Sequence, residues 1–218
     1  MSNLRQRLIT LLEPNYLQLS YCLCEIVSPY DSLLDLGGGS GTAFGNLIPA
    51  CVGSRVVVDQ HEKSLEIGLR TGVYTQAFKQ DLLEFIEAQP SKSFDVVMAT
   101  SVIEHFSKEA GAQLANEMKR VAKHIALLYT PNGFVPQPPT RENPHQEHLS
   151  GWNSHDLETL GYEFAGGFNG LKYLRTTHGA LRFKPKFIAL PFTLSTARFT
   201  RRSNHFAFEI LHIAKSHL

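Results

Sequence analysis

Residues 31–42 read Asp-Ser-Leu-Leu-Asp-Leu-Gly-Gly-Gly-Ser-Gly-Thr, and this run constrains the fold more than any other in the chain. Ser32 to Leu36 is a short, mostly apolar stretch of strand length. Three consecutive glycines and a fourth after Ser40 follow it, and a helical pattern then runs from Ala43 to Leu47. Strand, glycine-rich turn and helix in that order present bare backbone to a ligand, because no Cβ intrudes. Two common phosphate-binding turns are excluded. The dinucleotide-binding G-x-G-x-x-G closes in neither frame, since Gly37 and Gly39 are followed by Thr42, and Gly39 and Gly41 by Phe44. A P-loop requires Gly-Lys-Ser/Thr, which does not follow.

The rhythm downstream is that of an α/β domain. Arg55-Val-Val-Val-Asp59 reads as a second strand, Tyr74–Phe78 as a third, Phe94–Thr100 as a fourth and Ile125–Tyr129 as a fifth. Helical periods separate them at Glu62–Leu69, at Asp81–Glu87 with Asp81 as N-cap, and at Glu109–Lys123. Amphipathic stretches at Leu4–Leu12 and Tyr16–Ile26 lead into the first strand. Thr130-Pro-Asn-Gly reads as a turn. Four such alternations predict a doubly wound, mostly parallel sheet with right-handed crossovers. Further on, Ser154 is expected to cap a helix to Leu160, Tyr162–Ala165 to be a strand and Phe206–Ala214 the last one. With 218 residues, 43% of them hydrophobic, the chain is sized for one well-buried domain spanning 1–218. Residues 135–153, rich in proline and histidine, read as a lid loop, and 170–205 as a basic insertion before the last strand.

The pattern D-x-G-x-G-x-G, filled by Asp35, Gly37, Gly39 and Gly41, resembles the first motif of class I S-adenosylmethionine-dependent methyltransferases. Phe94-Asp-Val-Val, Val102-Ile-Glu-His105, Thr130-Pro-Asn-Gly and His148-Leu-Ser-Gly-Trp152 are similar to the small-molecule branch called methyltransferase type 11. The resemblance implies the Rossmann-like methyltransferase fold, a seven-stranded sheet of order 3-2-1-4-5-7-6 whose last strand is antiparallel. It also implies S-adenosylmethionine as cofactor. In open α/β sheets ligands sit beyond the carboxyl ends of the strands, and the candidate contacts fall there. A turn with the Asp35 carboxylate at its mouth, together with Gly37, Gly38, Gly39 and Gly41, suits an ammonium and a sulfonium. Asp59, with Gln60 beside it, would accept both ribose hydroxyls. Asp81 would accept from the adenine amine, with the Leu82 N–H alongside. Thr100 and Ser101 would wall the methionine and methyl end.

For catalysis, His105 is the first candidate base, because it follows the fourth strand near the expected methyl. Glu104 is expected to be structural or a helper, and His145 and His148 are weaker catalytic candidates from the loop. No metal is expected: the H-x-x-H spacing of His145 and His148 matches no familiar zinc pattern, and no cysteine lies near. The predicted reaction is methyl transfer to an oxygen or nitrogen nucleophile of a small or medium-sized acceptor. A non-catalytic S-adenosylmethionine-binding protein and a nucleotide-dependent oxidoreductase are the alternatives.

Charge adds an expectation about partners. Phe164 to Phe208 contains no Asp or Glu but eight basic residues, among them Lys172, Arg201 and Arg202. This segregation suits a phosphate-bearing or lipid-linked acceptor, or peripheral contact with an anionic membrane. Nucleic acid is not expected, since no binding motif accompanies the charge. Three cysteines without a framework, and the lack of any signal peptide or spanning segment, point to the cytoplasm.

Overall fold

The computed structural model describes residues 15–28, 30–41, 53–139, 144–174, 196 and 199–216. The helices expected at Leu4–Leu12 and after the glycine turn lie outside the described residues, as does most of the basic stretch 170–205.

The described chain opens with helix α1 (Asn15–Val27). Strands β1 (Ser32–Leu36) and β2 (Ser54–Asp59) follow, then helix α2 (Glu62–Arg70), strand β3 (Gln76–Lys79) and helix α3 (Leu82–Glu87). Next come β4 (Phe94–Thr100), a single 3₁₀ turn at Ile103–His105, α4 (Lys108–Val121) and β5 (Ala122–Pro131). A 3₁₀ turn at Pro144–Gln146, α5 (Ser154–Thr159), β6 (Glu163–Leu171) and β7 (Ala207–Lys215) complete the order. The strands form one seven-stranded sheet in the order β3-β2-β1-β4-β5-β7-β6. Neighbours from β3 to β5 are parallel, while β7 runs antiparallel to both β5 and β6. Fold class and strand order agree with the sequence expectation.

The central strands read as unbroken apolar runs because both faces are covered. Leu34, Leu36, Val56, Val58, Val97, Ala99 and Leu128 face α3, α4 and the Trp152–Leu157 region. Leu33, Val57, Val96, Met98 and Leu127 face Leu19, Leu23 and Val27 of α1 and Leu65 of α2. Period-2 alternation thus divides every strand between two cores.

Three local boundaries differ from the sequence reading. Thr130 and Pro131 still pair with Ile210 and Glu209, so the turn starts only at Asn132. Proline is tolerated there because it closes the strand. The cap of α5 is Asn153, not Ser154: its side chain accepts from the Asp156 N–H, and the Asp156 carboxylate accepts in return from the Asn153 N–H. Ser154 is the first helical residue and is buried. Finally, β6 runs on to Leu171, well beyond Ala165.

Candidate active site

A cavity of about 260 Å³ opens at the carboxyl ends of β1, β2 and β4. Its wall is formed by Gly37, Asp59, Gln60, Asp81 and Leu82 on one side, by Ser101, Val102, His105 and Phe106 on the next, and by His145–Glu147 and Leu149 above. The strand ends and the distant loop therefore meet in one place.

The first side is held by short-range bonds. Asp59 Oδ1 accepts from the His61 N–H at 2.7 Å. Asp81 Oδ1 caps α3 by accepting from the N–H groups of Leu83 and Glu84, and its Oδ2 accepts from Gln60 Nε2 at 3.0 Å. A capping aspartate is worth about 1 kcal/mol to its helix, and here it also fixes Gln60 against the cavity. At the glycine turn, Gly37 has φ +69°, and a Cβ there would meet Val102 Cγ2 at 2.5 Å. Only glycine satisfies both conditions.

Asp35 is not at the mouth of this turn. It is fully buried beneath it, its Oδ2 accepting from Tyr74 Oη at 2.5 Å, while Oδ1 has no hydrogen-bond partner. Burial, only partly offset by Tyr74, pushes its pKa up to about 7, with the nearby Asp59 charge adding to the rise. Gly38 lies directly on this pair, so a side chain there would strike Asp35 and Tyr74. Gly39 and Gly41 share the positive φ of the turn but, with Gly38, lie outside the cavity wall. Thr100 ends β4 opposite Tyr129 and is likewise off the wall.

The other side is held by long-range bonds. Ser101 leaves β4 with φ +54°, a region costly for a residue with a Cβ and common at functional turns. The 3₁₀ turn that follows carries Glu104 and His105. Glu104 is buried; its Oε2 accepts from Thr130 Oγ1 at 3.0 Å, and Oε1 has no hydrogen-bond partner. Burial pushes this carboxyl up to about 8, against the hydrogen bonds from its own backbone and Thr130, with the Glu209 charge raising it further. His105 Nδ1 donates to the Glu147 carbonyl at 2.9 Å, and His148 Nδ1 to the Val135 carbonyl at 2.6 Å. A carbonyl only accepts, so each Nδ1 carries the proton and each Nε2 the lone pair. Desolvation lowers both histidines from the ordinary value, which favours the neutral rings. The rings meet edge to face at 4.8 Å.

The loop is pinned over this turn. Leu149 and Ser150 N–H groups donate to the Glu104 carbonyl, and Trp152 Nε1 donates to the Ile103 carbonyl and to Ser150 Oγ. Of the candidates named from sequence, Gly37, Asp59, Gln60, Asp81, Leu82, Ser101, His105 and His145 line this cavity. The sequence reading missed Phe106, Gln146 and Leu149, which carry no chemical signal in sequence, and Tyr74, whose partner lies 39 positions away. Of the basic segment, Lys172, Arg201 and Arg202 are described. Arg201 lies over the Phe168 ring at 4.3 Å and donates to Cys22 Sγ, so its guanidinium is engaged in packing.

The family described as a methyltransferase domain matches residues 33–124, from β1 to the start of β5. Over this stretch, which holds the glycine turn, Asp59, Asp81 and His105, the chain resembles class I S-adenosylmethionine-dependent methyltransferases. Solved methyltransferases have a similar fold. One from Archaeoglobus fulgidus is 17% identical with TM-score 0.59, covering 98% of this chain and 100% of its own. Another, from Clostridium acetobutylicum, is 11% identical with TM-score 0.58, covering 98% of each. The magnesium protoporphyrin IX methyltransferase of Synechocystis PCC 6803, solved with bound S-adenosylmethionine, is 12% identical with TM-score 0.53, covering 92% of this chain and 80% of its own. No curated protein sequence matches the chain. The family match and the shared fold support an enzyme of the methyltransferase class. Among the described residues, no helix is long and apolar enough to cross a membrane.

Proposed function

We propose that the enzyme transfers a methyl group to an oxygen or nitrogen of a small or medium-sized acceptor, which enters the cavity at its His105 end. The observation that carries this reading is the convergence of Asp59, Gln60, Asp81 and Leu82 with His105 and His145 on one cavity. The residues fit the donor. Asp59 Oδ1 is taken by a backbone N–H, leaving Oδ2 to accept ribose hydroxyls, and Asp81 with the Leu82 N–H suits an adenine edge. When bound, S-adenosylmethionine supplies a sulfonium methyl, so that the acceptor's lone pair forms the new bond as the C–S bond breaks and sulfur keeps its electrons.

What the chain must add is alignment, exclusion of water and removal of one proton. Alignment can dominate, since effective molarities of well-oriented reactants reach about 10⁵–10⁸ M. Leu149, Phe106 and Val102 give that end of the cavity its apolar wall. His105 Nε2, the ring nitrogen not bonded to the Glu147 carbonyl, takes the proton. His148 meets the ring edge to face, and His145 lies on the same cavity wall. The chemistry and the cysteine usage together favour a cytoplasmic setting.

A screen of metabolite pools with labelled methyl donor tests this reading. Turnover that falls on His105→Ala, with donor affinity retained, supports it. No turnover with any acceptor would leave a non-catalytic binding protein, and calorimetric binding of NAD instead of S-adenosylmethionine would leave the oxidoreductase. The charge of 164–208 favours a phosphate-bearing or lipid-linked acceptor as the finer reading. Co-sedimentation with anionic vesicles over a salt series, compared with the Arg201→Glu/Arg202→Glu variant, tests that part.

A further inference from the structure

Glu104, His105 and His148 come together although the third is 43 positions from the second. One ligand-type atom from each lies within 4.8 Å of the others. Two imidazoles and one carboxylate form a donor set suited to divalent first-row transition ions and not to calcium, which takes oxygen ligands. Three further observations single out this cluster. Glu104 Oε1 is buried and unpartnered, an arrangement that is costly unless something else satisfies it. Both histidines give their Nδ1 protons to backbone carbonyls, the outer hydrogen bonds that orient metal-ligating imidazoles and leave Nε2 for the ion. The remaining oxygen of Glu104 is held by Thr130, so the carboxylate too has its orienting partner.

We propose that Glu104, His105 and His148 bind one divalent transition-metal ion at the acceptor end of the cavity. Three protein ligands leave open coordination positions, as in catalytic and not structural sites. The ligand atoms lie within 4.8 Å of one another, up to about 1.5 Å wider than the donor separations of about 3.3 Å that tetrahedral bonds of about 2.0–2.1 Å give, a gap for side-chain torsions to close. His105 lies on the cavity wall, so an acceptor hydroxyl can reach the ion from inside. This inference rests on the proposed reading for where the acceptor lies, and it changes how the proton is lost. The Nε2 lone pair of His105 coordinates the ion instead of taking the proton. A hydroxyl bound to the ion becomes more acidic and releases its proton to water. Its oxygen lone pair then forms the C–O bond while the C–S bond breaks and the sulfur keeps the pair. The sequence reading set metal aside because it weighed His145 and His148 within one loop. Glu104 and His105 join His148 only through the fold.

The test uses the full chain, stripped with chelator and without methyl donor. Titration with Co²⁺ is followed by visible absorption, and titrations with Mn²⁺ and Zn²⁺ by relaxation and calorimetry. Saturable binding of one ion per chain is expected, with Glu104→Gln and His148→Ala each weakening it at least tenfold and His155→Ala leaving it unchanged. No saturable binding of any of the three ions at millimolar concentration overturns the proposal. So does unchanged affinity in both cluster variants. Should Glu104→Gln lose its native circular dichroism, His148→Ala on the partly exposed loop decides alone. Donor binding is titrated separately: metal binding lost with donor binding intact refutes only this inference, whereas absent donor binding refutes the reading it rests on.

Discussion

Asp35 and Glu104 invite direct comparison. Each lies at or just beyond the carboxyl end of a strand, each is buried, and each gives one oxygen to a hydroxyl and leaves the other without a partner. Both are pushed up by burial, to about 7 and about 8. Their company differs. Asp35 is sealed under the glycine turn, bonded to Tyr74, with Gly38 directly on the pair and the Asp59 charge near by. Glu104 stands next to two imidazoles, one of which lines the cavity. Equal burial therefore leaves one carboxyl under the turn and sets the other beside two imidazoles, and it is the neighbours that tell the two apart.

The comparison can be broken most forcefully at Trp152, which locks the loop over Glu104. Its indole is buried and donates to the Ile103 carbonyl. Trp152→Ala should cost about 3–5 kcal/mol of stability, read by urea unfolding, and should raise the acceptor KM more than the donor Kd. A donor Kd that rises equally would mean that the two ends are not separately held.

Next in size is the pH response of Asp35. Its folded pKa stands above the unfolded 3.8, so the folded state holds the proton more tightly. Stability must then fall as pH rises from about 4 to about 7, and level off above. Asp35→Asn removes this titration, so its stability relative to the native chain should improve over that window, by about 4 kcal/mol at most. Unfolding curves at three pH values check this; a constant difference would show that Asp35 is not held protonated.

Asp59 probes the donor side alone. Asp59→Ala should weaken S-adenosylmethionine binding by about 1–3 kcal/mol without altering metal binding at Glu104, both measured by titration. Gly39→Val, where φ is +54°, should act in the same direction, and full donor affinity in both variants would remove the assignment. The smallest effect belongs to Ser101. Relief of its positive φ in Ser101→Gly should add about 1 kcal/mol of stability, offset in part by the greater freedom of glycine when unfolded. A loss of stability on thermal unfolding would mean that Ser101 contributes a contact that outweighs its strain.

The sheet was legible because its determinants are local. Runs such as Val56-Val-Val58 and Val96-Val-Met-Ala99 announce strands buried on both faces, and Asp81 announces its helix by capping it two and three residues on. Asp59, Gln60 and Leu82 were legible for the same reason, since each lies at a strand or helix end whose position follows from periodicity. The acceptor end was legible only in pieces. His105 could be named from its place after β4, but not that its ring would donate to a carbonyl 42 positions later. Asp35 was named for its spacing before the glycines, yet a strand residue alternates between faces, and only the packed sheet put its carboxyl inward against Tyr74. The sequence by itself therefore determined the strand order's raw material, the glycine turn and the acids at the ends of β2 and β3, whose places follow from periodicity and from bonds to N–H groups two and three residues on. The tertiary structure decided which polar groups were buried, which loop closed over the turn after β4, and that Glu104, His105 and His148 would share one space. Desolvation and long-range contact arise only when distant segments meet.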